Sequence, residues 1–174
     1  MDRPLTVLVL ADTHVRAGAE GRLPPEVYAA ATDADVILHA GDVLVGAVLD
    51  ELAGFAPVHA VLGNNDVPAL VDRLPETLEI ELGGVSVAMI HDSGPTAGRE
   101  GRMARRFPDA SIVVFGHSHA PANTVGVDGQ VLFNPGSATT RRRQPVCTYG
   151  VLRLGDGAVL ERSIIELPPP PPRR

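Results

Sequence analysis

Short apolar runs alternate with polar turns and helix-period stretches along the 174-residue chain. The run LTVLVL from Leu5 to Leu10, bounded by Pro4 and Asp12, predicts a buried strand. Pro24 and Pro25 lead into EVYAAATDAD, and proline suits the first helical positions, so a short helix ending near Asp33 is predicted. Val36 to Ala40 (VILHA) reads as a second buried strand. After Gly41-Asp42 the spacing of VLVGAVLDELAG is helical, with Gly54 as the expected C-terminal cap. The chain then returns to strand at Val58 to Leu62. Three strands, each following a helical crossover, predict a mainly parallel sheet with helices packed outside it.

The second half changes period. TLEIEL and VSVAMIH flank Gly83-Gly84, which predicts a hairpin. A helix is predicted from Ala97 to Phe107, with Arg102, Arg105 and Arg106 toward solvent. Ser111 to Gly116 reads as a further buried strand, and NTVGVDGQVLFNP holds a second hairpin turning at Asp128-Gly129. Two more strands, Cys147 to Leu154 and Ala158 to Glu166, surround Gly155-Asp156-Gly157. A run of hairpins after a parallel start predicts a second sheet stacked on the first. The expected class is α/β (α+β by some schemes), with two stacked mixed sheets flanked by helices. No repeat or linker divides residues 1–167, which read as one domain. PPPPPRR at 168–174 lacks backbone donors over its prolines and is expected to be an extended, solvated polyproline tail.

Composition narrows the function. With 44% hydrophobic and 21% charged residues the chain has the make-up of an ordinary globular protein, which argues against disorder. No apolar run approaches the ~20 residues of a membrane-spanning helix. Met1-Asp2-Arg3-Pro4 runs straight into the first strand with no basic and apolar leader, so a cytoplasmic location is expected. A single cysteine, Cys147, closes no internal disulfide and builds no thiolate metal cage. The net charge is −6 although Arg173 and Arg174 sit in the tail, so the body is more acidic still. That balance disfavours duplex nucleic acid, whose binders displace phosphate counterions with a basic surface. A small phosphorylated substrate remains compatible.

The chemistry-bearing residues sit where strands are predicted to end. In Asp12-Thr13-His14, residues i and i+2 of an extended segment project to one side, at the carboxyl edge where open α/β sheets bind ligands. Asp42 follows the second strand, Asn64 the third, His91 ends the first hairpin, and His117 and His119 follow the strand at Ser111 to Gly116. Seven such groups suit two ions. Imidazole mixed with hard oxygen and no thiolate suits Mn, Fe, Zn or a related transition ion, and fits neither an all-oxygen Mg or Ca cage nor a cysteine-rich zinc site. Gly41, Gly63 and Gly116 are expected to let the backbone turn sharply at these ends. A redox-inert hydrolytic site is the natural reading.

In order, DTH at 12–14, GD at 41–42, GNND at 63–66, His91, GHSH at 116–119 and NPGS at 134–137 resemble the calcineurin-like metallophosphoesterase superfamily. The resemblance runs from residue 5 to about 166, and the short length with NPGS resembles its small bacterial and archaeal phosphodiesterase branch. It implies a four-layer αββα sandwich. It also implies two divalent ions, Mn first and Ni, Fe or Zn as alternatives, with Asp12, His14 and His119 on one, Asn64, His91 and His117 on the other, and Asp42 bridging. The implied function is a phosphoesterase, expected to be a phosphodiesterase, in which a metal-bound hydroxide attacks a small phosphoester in line without a covalent enzyme intermediate.

Several residues depart from the family pattern or stay open. Asn65 stands where many members carry His; it donates a hydrogen bond but delivers no proton, so general-acid help worth ~10²–10⁴-fold is absent. Asp66 either orients Asn65 or caps the next segment, and both residues are candidates for transition-state or supporting roles. Asp92 follows His91 where Gly is frequent, either as a partner of the ligands or as a surface residue. His39 and His59 read as core or supporting residues. Asn134 and Ser137 either support the site floor or form a turn around Pro135-Gly136. Arg141-Arg142-Arg143 is either a solvated loop or, through Arg142 and Arg143, a substrate-phosphate contact beside Asn65, since guanidinium matches phosphate geometry. The competing function is a catalytically weak protein-binding scaffold, like the retromer subunit that resembles this branch. The expected partner is a small phosphoester, with no membrane and no duplex nucleic acid; a homo-oligomer stays open.

Overall fold

The computed structural model describes residues 3–19 and 21–169, so the tail expected at 168–174 lies outside the described residues beyond Pro169. The chain forms β1 (Leu5–Leu10), α1 (Pro25–Asp33), β2 (Val36–His39), α2 (Gly46–Ala53), β3 (Val58–Ala60), α3 (Pro68–Val71), β4 (Thr77–Leu82) and β5 (Val85–Ile90). It continues through α4 (Arg99–Arg106), β6 (Ile112–Val114), β7 (Ala122–Val125), a 3-10 turn at Val127–Gly129, β8 (Val131–Asn134), β9 (Thr148–Gly155) and β10 (Ala158–Glu166). Two five-stranded sheets result, ordered β10-β9-β1-β2-β3 and β4-β5-β6-β8-β7. In the first, β1, β2 and β3 are parallel and the β9-β10 hairpin joins β1 antiparallel. In the second, β5, β6 and β8 are parallel, with β4 and β7 antiparallel on the edges.

The last hairpin returns to the first sheet instead of extending the second. Turn residues encode local pairing, but which sheet edge a hairpin meets is decided by packing far along the chain. Helix α4 starts at Arg99, later than predicted, because Gly98 at φ +71° caps it. Its Arg102 is half-buried and donates to the carbonyls of Ser93 and Ala97, unlike the solvent-facing residue expected. Gly54 caps α2 in right-handed conformation at φ −69°. The one-turn helix α3 has no counterpart in the sequence pattern, since four residues cannot display a 3.6-residue period.

Strand alternation sorts the apolar residues into layers. Val7, Val9, Leu38, Val87, Met89, Ile112, Val114, Phe133 and Leu152 fill the space between the sheets. Their neighbours Leu8, Leu10 and Ile37 face outward onto Val27, Ala31, Val48 and Leu52 of α1 and α2. On the opposite face, Ala88, Val113, Phe115 and Leu132 meet Met103 and Phe107 at α4. The layers are therefore helix, sheet, sheet, helix, as the family resemblance implied. Each such aliphatic or aromatic side chain contributes about 1.5–3 kcal/mol by leaving water. No helix of the described residues is long and apolar enough to cross a membrane.

Candidate metal centre

The parallel strands of both sheets end on one side of the sandwich, and their loops interlock there. Asp12 donates its amide to the Gly41 carbonyl at 2.9 Å and His14 to that of Asp42 at 3.0 Å, which ties the loop after β1 to the loop after β2. Gly116 donates to the His91 carbonyl at 2.9 Å, tying the ends of β6 and β5. Asp12, His14 and His119 form one group of metal-capable atoms, and Asp12, Asp42 and His91 a second. Asn64 completes the cluster, its Oδ1 lying 3.0 Å from both His91 Nε2 and His117 Nδ1. On the other side, His14 Nε2 and His119 Nε2 approach to 3.1 Å. Between them stands Asp42 Oδ2, 3.6 Å from His14 Nε2 and 3.4 Å from His91 Nε2. All seven expected ligand residues are thus brought together.

Asp12 tests whether this cluster fits a cation. Its side chain is fully buried, and neither Oδ1 nor Oδ2 finds a hydrogen-bond partner among the described residues. Ring nitrogens of His119, His14 and His91 stand 3.6, 3.9 and 4.0 Å from Oδ1. Those gaps are too long for hydrogen bonds, yet donors sharing an ion at 2.0–2.2 Å sit about 3–4 Å apart. Burial pushes the Asp12 carboxyl up to about 7, with the Asp42 charge adding to the rise and His91 opposing it. Asp42 takes the other course: burial alone would raise it, but its bonds with His91 and Asn65 prevail and hold it well below the ordinary carboxylate range. His91 is raised against its own burial by Asp42 and by the Ala40 carbonyl. His14 and His119 are lowered, chiefly by burial, and stay neutral with lone pairs to offer. Asp12 is left as a buried acid without its own cation, a deficit that a divalent ion removes.

Main-chain and hydroxyl groups aim the ligands. His91 Nδ1 donates to the Ala40 carbonyl at 2.7 Å and His119 Nδ1 to that of Thr140 at 2.5 Å, so each Nε2 faces inward. Asn134 donates to the Gly116 carbonyl at 3.0 Å, Ser137 Oγ to that of Asp12 at 2.7 Å, and Thr139 Oγ1 to that of Thr13 at 2.6 Å. Of the two readings left open, Asn134 and Ser137 support the site floor. His39, buried and pushed down to about 3 by that burial, lies 2.9 Å from Thr13 Oγ1 beneath the first loop. His59 is half-buried in β3 and joins none of these contacts. Asp66 neither orients Asn65 nor caps α3: it accepts the amides of Gly63 and Leu44 at 2.7 Å each and of Asp42 at 3.2 Å, fixing the loops from below. Asn65 instead donates its Nδ2 to Asp42 Oδ2 at 2.6 Å and its amide to Oδ1 at 2.8 Å. Arg142 is exposed, donates to the His117 carbonyl at 3.2 Å, and with Arg143, Ser118 and Gln144 lines a cavity of about 530 Å³ beside the cluster. A wider cleft of about 800 Å³ between α4, the 3-10 turn and β10 touches none of the ligand residues. The Ala40 and Thr140 carbonyls escaped the sequence reading because every residue carries a carbonyl; only the proximity of Thr139 and Thr140 to NPGS hinted at them.

Backbone strain is concentrated at the same residues. Asp12, His14, Asp42, His117 and His119 all adopt left-handed φ, between 46° and 70°. Each such side-chain-bearing residue costs roughly 1–2 kcal/mol relative to glycine. The glycines do less turning than expected. Gly63 and Gly116 are absent from the positive-φ positions, but a Cβ on Gly63 would stand 2.1 Å from the Asp42 nitrogen and one on Gly116 2.9 Å from Asp12 Oδ2. Their role is to let the loops close on the carboxylates. From the strain, His117→Gly is expected to be more stable than His117→Ala by about 1 kcal/mol in thermal unfolding with chelator, the reverse of the order at ordinary positions.

Known proteins agree with this geometry. A probable metallophosphoesterase of Methanothermobacter thermautotrophicus is 34% identical over 161 residues, covering 90% of each chain. Wild-type Vps29 of Entamoeba histolytica, solved in complex with zinc, is 25% identical with a TM-score of 0.67, covering 93% of this chain and 99% of its own. An archaeal phosphodiesterase superposes with a TM-score of 0.70 over 94% of this chain and 100% of its own, and at 20% identity it speaks for the fold. Residues 5–157 match the calcineurin-like phosphoesterase superfamily domain, from the first strand to the last hairpin that frame the cluster, and it is to this superfamily that the chain belongs.

Proposed function

We propose that the protein is a dimetal phosphodiesterase acting on a small phosphoester. The observation that carries this reading is the Asp12 carboxylate, buried without a hydrogen-bond partner among the described residues and ringed by three imidazole nitrogens. Asp12, His14 and His119 hold one ion, Asn64, His91 and His117 the other, and Asp42 is shared, with Mn as the first candidate and Ni, Fe or Zn as alternatives. Bound there, two such ions supply an acidified water and neutralise charge developing on the phosphoryl oxygens. The chain itself contributes position and charge. Asn65 fixes the Asp42 carboxylate through both of its donors, and Arg142 with Arg143 offers guanidinium groups to the phosphate from the adjoining cavity. Because Asn65 delivers no proton, an activated or intrinsically good leaving group is favoured.

Hydrolysis of bis-(p-nitrophenyl) phosphate by metal-stripped protein reloaded with Mn, Ni or Zn tests the proposal. Turnover that appears with metal and disappears with chelator is expected. Its absence at every loading would favour the second reading, a protein-binding scaffold, to which Asn65 in place of histidine lends support. Asn65→His is expected to raise phosphomonoester turnover relative to diester turnover by about tenfold or more. An unchanged ratio would show that the missing proton donor does not set the preference.

A further inference from the structure

Asp92 stands directly after His91 and lies outside both groups of metal-capable residues. Its Oδ1 accepts the Gly94 amide at 2.7 Å, which pins the carboxylate, and its Oδ2 lies 3.9 Å from His117 Nε2. The other nitrogen of that ring, Nδ1, lies 3.0 Å from Asn64 Oδ1. His117 therefore turns one nitrogen to the ligand cluster and the other to a carboxylate. A neutral imidazole carries one proton, and its neighbours decide which nitrogen keeps it.

The remaining rings show why His117 is special. His91 and His119 are locked by main-chain carbonyls, those of Ala40 and Thr140. Their side chains are 5% and 0% exposed, against 44% for His117. No main-chain acceptor contacts the His117 ring among the described residues; Arg142 reaches only its backbone carbonyl. The acceptor available to set this ring is Asp92.

We infer that Asp92 is a positioning residue: it keeps the His117 proton on Nε2 and leaves the Nδ1 lone pair aimed at the ion shared with Asn64 and His91. The inference rests on the dimetal reading above. A carboxylate behind a ligating histidine is worth roughly 10–100-fold in metal affinity. Asp92 is itself 58% exposed, and solvent screening puts the effect at the low end, about tenfold.

Calorimetric titration of the full chain with Mn²⁺ compares wild type, Asp92→Asn and Asp92→Glu. The Asn variant is expected to weaken one of two binding sites about tenfold and leave the other unchanged, with part of the loss restored in the Glu variant. Long-range ¹H–¹⁵N spectra of metal-free protein are expected to report the Nε2–H form of His117 in wild type and a mixture of forms in Asp92→Asn. If wild type binds two ions while the Asn variant leaves both constants within twofold, or weakens both equally, the positioning role is overturned and the dimetal reading stands. If wild type takes up no Mn²⁺ at all, both fall.

Discussion

In the presence of chelator at pH 8, Asp12→Asn is expected to unfold at a higher temperature than wild type, and the advantage should vanish as the pH is lowered toward 4. The sign follows from the direction of the shift. Burial lifts the Asp12 carboxyl from 3.8 to about 7, so the unfolded chain releases its proton between those values while the native chain retains it. Unfolding is favoured progressively across that window, and the penalty reaches its plateau above pH 7. Below pH 3.8 both states are protonated and nothing is lost. The full rise corresponds to roughly 4 kcal/mol. A buried amide without partners takes back about 1–3 kcal/mol, leaving a net gain on the order of 1–2 kcal/mol. Adding Mn²⁺ should reverse the order, because wild type gains a ligand-bound state that the variant lacks. Differential scanning calorimetry with and without metal at several pH values measures both effects. A metal-free variant less stable than wild type at pH 8 would contradict the isolated state of this carboxylate.

Asp42→Ala should behave in the opposite sense and with a larger functional consequence. Asp42 is held well below its ordinary range by His91 and Asn65, so its contribution to the metal-free fold is present above pH 3.8 and is lost as the pH falls further. Removing it destabilises where removing the Asp12 charge stabilises. On the proposed reading it is also the one ligand common to both ions, standing 3.6 Å from His14 Nε2 and 3.4 Å from His91 Nε2. Its loss should lower diester hydrolysis on the order of 10³-fold or more and reduce bound metal to one ion or fewer. Elemental analysis beside the kinetic assay decides the matter: full activity with two ions retained would remove Asp42 from the shared position.

The ligand residues were legible in the sequence because each follows a buried strand, and a strand is the element whose length and apolar run show clearest. Layering was legible for the same reason, since Leu8 and Val9 had to face different sides of β1. What escaped the sequence was non-local or carried by the main chain. The partner sheet of the β9-β10 hairpin depends on contact with β1, more than a hundred residues earlier. The carbonyls that aim His91 and His119 belong to an alanine and a threonine whose side chains give no hint. Asp66 was read for its neighbours in sequence, whereas its bonds run to the loop that carries Asp42.

The metal-capable cluster draws Asp12, His14, Asp42 and Asn64 from loops of one sheet and His91, His117 and His119 from loops of the other. Each proposed ion consequently takes donors from both halves of the sandwich and works as a clasp across their seam. Any slippage of one half against the other opens both coordination spheres at once, so cohesion between the halves and readiness for chemistry rise and fall together.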